Sequence, residues 1–381
     1  MAKKKLIVVW PYRFRDFDWQ RFELEQLSQH VEVRVHELID ALTPEFAAAY
    51  ANQSDRPEVK RFSSLGEWHR EFKKISKNSI TFTHVRPINF KSSLICIALR
   101  RSKSKTIGFL LGGAVLAGTQ EQIRKFAKLK RLYHFLRRNC LIFAMPDYVA
   151  VGGSESEERE RRDFQRFTKV IHMNSFDYSQ FLRGSIKDQS KVAGAVYLDT
   201  GIPAFPSDFL LLGQKELLEV DTWYPSLNKF FDFVEETLSL DVEVAVHPKH
   251  FGREHADFFS SRTVLSGNTW SNVAIRSLVI ATFSTSISFA VCFDKPLILV
   301  WSDLIASGVD SLKKSYIENF AHETGAKIFN IDREYTEQEL RDALVIDHAK
   351  RESYKRKYLT SRTDDKPNYQ VLLDEVINVA D

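Results

Sequence analysis

The chain is expected to be an α/β protein made of two consecutive series of strand–helix units, each closing into a parallel sheet. Three observations lead there. Short buried-type apolar runs alternate with longer stretches of helical spacing, the pattern of a parallel sheet covered on both faces. The alternation restarts after a polar run at residues 184–190. The length, 381 residues, exceeds one typical core and suits two domains of ordinary size.

In the first series, residues 6–10 read as a buried strand and 18–29 as a helix with Asp18 as its N-cap. Val31-Glu-Val-Arg-Val alternates with period two, as a strand does. Residues 58–77 have helical spacing, 79–85 are strand-like and 90–101 are helical. A strand at 106–111 ends at Gly112-Gly113, and one at 147–151 ends at Gly152-Gly153-Ser154-Glu155. A short helix at 178–183, with Asp177 as its cap, closes this half.

The second series predicts strands at 194–198, 242–246, 263–265, 278–281, 297–301 and 327–331. Helices are expected at 224–238, 269–276, 287–293, 312–322 and 336–344, with an amphipathic helix at 368–379. The expected domains are therefore 1–185, 186–365 and a terminal helix, 366–381. No internal repeat and no low-complexity segment is present.

Composition bounds the function. A hydrophobic fraction of 44% and a charged fraction of 27% are those of a globular enzyme. No run of 18 apolar residues occurs, so no membrane span is expected. The basic start has only a short apolar run before Pro11, which suits a first strand and not a signal peptide. Cys96, Cys140 and Cys292 are odd in number and far apart, so neither a disulfide framework nor a zinc site is expected, and a reducing cytoplasm fits. Net charge is only +4, but residues 100–138 carry eleven basic side chains against one acid, Glu121. Residues 119–138 have helical spacing and a basic face, suited to an anionic membrane surface or acceptor. A solvated helix face is the simpler explanation of such a run. A nucleic-acid module is not expected, because that run lacks a recognisable motif.

The residues with chemistry cluster at predicted carboxyl ends of strands in the second half, where open α/β sheets bind ligands. Asp199 ends one strand and is followed by Thr200-Gly201-Ile-Pro203, a tight turn that presents a carboxylate. It suits a general base or a nucleophile, or else an Asp bonded to its own turn. His247 precedes Pro248 and Lys249 and is placed to donate to a phosphate oxygen, with His250 and Arg253 adding charge. Ser284, Thr285 and Ser286 lie between a strand and a helix, where hydroxyls and free amides favour an anion; plain capping needs only one of them. Gly112, Gly113, Gly153, Ser154 and Glu155 are candidates for the acceptor side. The chain has no HExxH, CxxC, GxSxG or GxxxxGK[ST] pattern.

In that order, Asp199-Thr-Gly201, His247-Pro248 and Ser284-Thr-Ser286 resemble the motifs of bacterial GT-B sialyltransferases and of the β-Kdo transferases of surface polysaccharides. The stretch from Asn174-Ser-Phe-Asp-Tyr to Asp294-Lys-Pro296 is similar to proteins of bacterial surface-carbohydrate gene clusters. The resemblance covers residues 174–301; the first half matches by architecture alone. It implies the GT-B fold, two Rossmann-like domains with parallel sheets facing a central cleft. It also implies a CMP-activated sugar acid as donor. Asp199 would be the catalytic carboxylate, with His247, Ser284, Thr285 and Ser286 on the CMP phosphate. Asp-Thr-Gly replaces the two adjacent acids of the sialyltransferase pattern, which leaves inverting and retaining roles both open.

The expected activity is a cytoplasmic, metal-independent glycosyltransferase without a cofactor, building lipopolysaccharide or capsule on a glycan or glycolipid acceptor. Peripheral inner-membrane contact would come from residues 119–138. Two rivals remain. One is transfer from a UDP- or dTDP-sugar, or of a polyol phosphate, on the same fold, with Asp294 and Asp303 as ribose-gripping candidates. The other is a non-catalytic subunit of a polysaccharide assembly complex.

Overall fold

The computed structural model describes residues 4–47, 54–87, 89–112, 145–158, 168–184, 193–203, 219–247, 258–265, 267, 269–303 and 311–378. The expected basic helix at 119–138 lies outside these residues, as do Gly113, Pro248 and Lys249.

The chain forms two compact units, each around its own parallel sheet. The first contains the described residues up to Leu182 and the stretch from Lys357 onward; the second runs from Arg183 to Arg356. The strands of the first are β1 (Lys5–Trp10), β2 (Glu32–Glu37), β3 (Val59–Arg61), β4 (Ser79–Thr83), β5 (Lys105–Leu110), β6 (Tyr148–Val151) and β7 (Lys169–His172). Their spatial order is β3-β2-β1-β4-β5-β6-β7. The second sheet comprises β8 (Ala195–Leu198), β9 (Val242–Ala245), β10 (Val264–Leu265), β11 (Leu278–Ala281), β12 (Leu297–Trp301) and β13 (Lys327–Asn330). It is ordered β10-β9-β8-β11-β12-β13. The two orders are the same winding: each sheet grows outward from its first strand, then reverses direction beside it. The reversal falls between β1 and β4 in one sheet and between β8 and β11 in the other.

The central strands are apolar on both faces because helices cover both. Leu6, Val8 and Trp10 of β1 pack into one core with Trp19, Phe22 and Leu24. Ile7 and Val9 point the other way, into a core with Trp68, Phe72 and Ile95. In the second unit Val196, Tyr197, Val279 and Ile280 are fully buried.

Several expectations need correction. Residues 58–77 do not form one helix: Val59–Arg61 pairs as a strand with β2, and the helix begins only at Leu65, where the Ser64 hydroxyl accepts the Glu67 N–H at 3.2 Å. The expected helix at 18–29 is two, Asp16–Arg21 and Leu24–Ser28, separated at Glu23 with φ 57°. Asp18 is not the N-cap but sits three residues past Arg15, whose backbone N–H it accepts at 3.0 Å. Likewise Asp177 is inside the helix Phe176–Arg183, and the Ser175 hydroxyl takes the capping role by accepting the Tyr178 N–H. The helix His348–Tyr354 was not expected.

The terminal residues pack into the first unit. Val371, Leu372 and Val376 join the core beside β1. The buried Glu23 carboxylate accepts the Tyr369 N–H at 2.7 Å and the Ser179 hydroxyl. The break between the first two helices thus supplies the anchor for the tail.

Candidate active site

β8 is the strand at which the second sheet reverses, with β9 on one side and β11 on the other. Ligand crevices in open α/β sheets form beyond the carboxyl ends of strands at such a reversal. The residues that leave β8, β9 and β11 at this edge are Asp199, His247 and Thr282-Phe283-Ser284. The structure therefore brings three of the predicted positions to one edge of one sheet.

Asp199 continues the ladder by donating its N–H to the Ala245 carbonyl at 3.0 Å. Its carboxyl group is buried, at 4% exposure of the residue. Burial pushes it up to about 7, while the Gly201 and Thr200 amides that it accepts pull the other way. Gly201, with φ 76°, lets the chain turn back so that its amide reaches the carboxyl group. This is the self-bonded Asp turn foreseen as the simpler explanation, yet it uses only one oxygen; Oδ1 is buried without a partner. A carboxyl group titrating near neutrality is suited to proton exchange at physiological pH.

Beneath it, Tyr197 lies two residues earlier on the same face of β8. Its hydroxyl is pushed well above its ordinary range by burial first and then by the Asp199 carboxylate, with the Thr282 hydroxyl pulling it back. Tyr197 was not singled out from sequence. In a strand buried on both faces an aromatic passes for core, and only its hydroxyl at a ligand-side position marks it.

His247 is half-buried just past β9. Ser284 accepts the Ser286 N–H at 3.2 Å and so caps the turn Thr285–Ile287. Thr285 is exposed and Ser286 half-buried, which leaves their hydroxyls at the edge. The following helix, Ser288–Cys292, is short, so hydroxyls and turn amides carry more of any anion binding here than a helix dipole does.

Further along the same edge, the Ser302 hydroxyl donates to Asp332 at 2.7 Å, and Asn330 donates to Asp303 at 2.9 Å. Asp303 is therefore on the ligand side. Asp294 is not: it precedes β12 at the opposite, amino edge, in a turn with φ 52° and within 3.4 Å of His348 Nδ1. A ribose-gripping role does not suit it.

The acceptor-side candidates belong to the first unit. Gly112 follows β5 and has open space where a side chain would stand. Gly153 has φ +126°, and a Cβ there would lie 2.5 Å from the Lys357 carbonyl oxygen. Close backbone packing explains that glycine without a ligand. Ser154 is exposed and Glu155 half-buried. Among the described residues, no group of three or more His, Cys, Asp or Glu side chains could hold a metal ion. No helix among them is long and apolar enough to cross a membrane.

No family model matches the chain, and no curated protein matches it either. Solved structures do. A variant of the wall teichoic acid polymerase TagF aligns over 97% of this chain and 88% of its own, with TM-score 0.52 and 10% identity. The UDP-GlcNAc 2-epimerase of Methanocaldococcus jannaschii aligns over 97% and 98%, with TM-score 0.49 and 9% identity. Arabidopsis thaliana UGT89C1 complexed with UDP-L-rhamnose aligns over 99% of both chains, with TM-score 0.49 and 11% identity. The TagF likeness and the two parallel sheets define the class: the chain has the GT-B fold.

Proposed function

We propose that the chain is a GT-B transferase that uses a cytidine-nucleotide donor, bound at the carboxyl edge of the second sheet. The observation that carries this reading is the placement of Asp199, His247 and Ser284 just beyond the carboxyl ends of β8, β9 and β11, three neighbouring strands at the reversal of the sheet. His247 and the hydroxyls of Ser284, Thr285 and Ser286 hold the donor phosphate, assisted by Pro248-Lys249 next in sequence. Asp199 acts in the transfer step either as base, taking the proton of the acceptor hydroxyl as that oxygen displaces the nucleotide, or as ionised nucleophile, its carboxylate displacing the nucleotide and then being displaced from the sugar by the acceptor. No metal is required, since the imidazole, the lysine and the turn amides balance the phosphate charge.

The donor is a CMP-activated sugar acid of the Kdo or sialic-acid type, and the acceptor a glycan of lipopolysaccharide or capsule. Gly112, Gly113, Gly153, Ser154 and Glu155 are assigned to the acceptor side. Residues 119–138 provide peripheral contact with the inner membrane from the cytoplasm. The domains follow the reading from sequence, 1–185 for the acceptor and 186–365 for the donor, with 366–381 as a terminal helix, except that residues 357–365 go with the first compact unit.

A second reading, polyol-phosphate transfer from a CDP-activated donor, is favoured by one observation. Structures similar to this chain include the TagF polymerase soaked with CDPG, at TM-score 0.50. Both readings share the cytidine.

A thermal-shift titration with CMP, CDP, UDP, dTDP and GDP tests the reading, because a ligand that binds only the folded state raises the melting temperature. CMP should stabilise the chain, and His247→Ala should abolish the effect. Stabilisation by CDP but not CMP would favour the polyol-phosphate donor. Stabilisation by UDP or dTDP alone would rule out the cytidine donor.

A further inference from the structure

Tyr197, Asp199 and Thr282 share more than a sheet edge. Leu198 pairs with Ala281 in register, so the next residues, Asp199 and Thr282, are cross-strand neighbours. Asp199 directly follows β8 and continues its ladder through Ala245, so Tyr197, two residues earlier, points to the same face. All three are buried: Tyr197 is 0%, Thr282 1% and Asp199 4% exposed. Among the described residues Asp199 Oδ1 has no hydrogen-bond partner, and the Tyr197 and Thr282 hydroxyls have none but each other, close enough for Thr282 to pull the phenol down yet short of good hydrogen-bond geometry. A buried orphan is costly, and an unpartnered carboxyl oxygen beside two under-satisfied hydroxyls is hard to explain as packing.

The chemistry of the three is complementary. Two hydroxyls each offer a donor, and the carboxyl oxygen is an acceptor that its own turn leaves unfilled. A small reorientation of the phenol and the Thr282 hydroxyl, or one bridging water, joins them. Resting on the reading of Asp199 given above, we propose that Tyr197 and Thr282 are positioning residues for Asp199, their hydroxyls supplying the partners for Oδ1. The amides of Thr200 and Gly201 grip one carboxyl oxygen and the two hydroxyls steady the other. The titratable groups around them are Tyr197 itself and Tyr224 of the helix Val220–Leu238; no charged side chain among the described residues shifts Asp199.

The test is a pH titration of the nucleotide-free chain carrying 13C-carboxyl aspartate, read by NMR, with Asp199→Asn to assign the signal. Hydroxyl donors favour the ionised carboxylate. Tyr197→Phe and Thr282→Val should each raise the Asp199 midpoint by about one pH unit, the size expected for one lost bond to a charged group. Thr282→Ser, which keeps the hydroxyl, should titrate as the wild type does. Midpoints unchanged in both Tyr197→Phe and Thr282→Val would overturn the proposal, and Tyr197→Phe would then be merely neutral or stabilising. Should Thr282→Val fail to fold, Tyr197→Phe decides alone, since it removes one oxygen and no packing. The measurement needs no donor, so a coupled Asp199 in a chain that binds no nucleotide would sink the transferase reading and leave this one standing.

Discussion

Asp199 and Thr282 leave adjacent parallel strands side by side, and Asp199 Oδ1 is buried there with no hydrogen-bond partner among the described residues. This pair stands where the sheet reverses, at the one edge position that a doubly wound topology reserves for a ligand.

Asp199 makes the chain less stable as pH rises toward neutrality. Its folded value, about 7, lies above the ordinary 3.8. Between those values the unfolded chain loses this proton and the folded chain keeps it, so stability falls by at most about 1.4 kcal/mol per pH unit. Below 3.8 and above 7 the contribution is flat. Asp199→Asn should remove that slope, gaining on the wild type from pH 4 to pH 7 in urea denaturation. Parallel curves for the two proteins would show that the carboxyl group is not held in its buried form.

His36 acts in the opposite sense. Burial pushes its imidazole down to about 4 from 6.5, and the ring packs edge-on against Phe62 at 5.0 Å. As pH falls from 6.5 to 4 the unfolded chain takes up a proton that the folded chain refuses, so stability is lost over that window. His36→Phe should flatten the acid limb of the stability profile. Melting temperatures at pH 4.5 and 7.5 suffice to see it.

Glu37 tests how the first sheet is held together. Its fully buried carboxylate accepts from Arg13 Nη1 at 2.6 Å and from the Phe14 N–H at 2.7 Å. Glu37→Gln leaves the Arg13 guanidinium buried with only Asp40, at 3.4 Å, to balance it. The loss should be about 3 kcal/mol, read from the urea midpoint at unchanged slope. Replacing Arg13 and Glu37 together by apolar residues should recover most of it.

Gly153→Ala should cost more than about 2 kcal/mol, since φ +126° strains any other residue and the new Cβ meets the Lys357 carbonyl oxygen at 2.5 Å. A near-neutral effect in chemical denaturation would contradict the close backbone packing.

The strands of the second sheet and their carboxyl edge were legible because the buried runs are long and the turns after them polar, as where Leu278 to Ala281 ends at Thr282-Phe-Ser284 and Ala195 to Leu198 at Asp199-Thr-Gly, but the order of the strands in space was not. Nor was the face on which Asp199 lies. In a strand apolar on both sides, alternation leaves no trace, so Tyr197 and Asp199 could not be paired by pattern. Val59–Arg61 was hidden for another reason. Three residues at a sheet edge are too few to show period two, and the charges around them mimic a helix. Asp294 and Asp303 look alike in sequence, and only the direction of β12 separates them.

Hydrogen exchange with and without saturating CMP reports where the nucleotide sits on the folded chain. With CMP bound at the carboxyl edge of the second sheet, exchange slows in peptides covering residues 199–203, 246–247 and 282–288, with the first unit unchanged. Slowing confined to the first unit, or none at saturation, would contradict that placement.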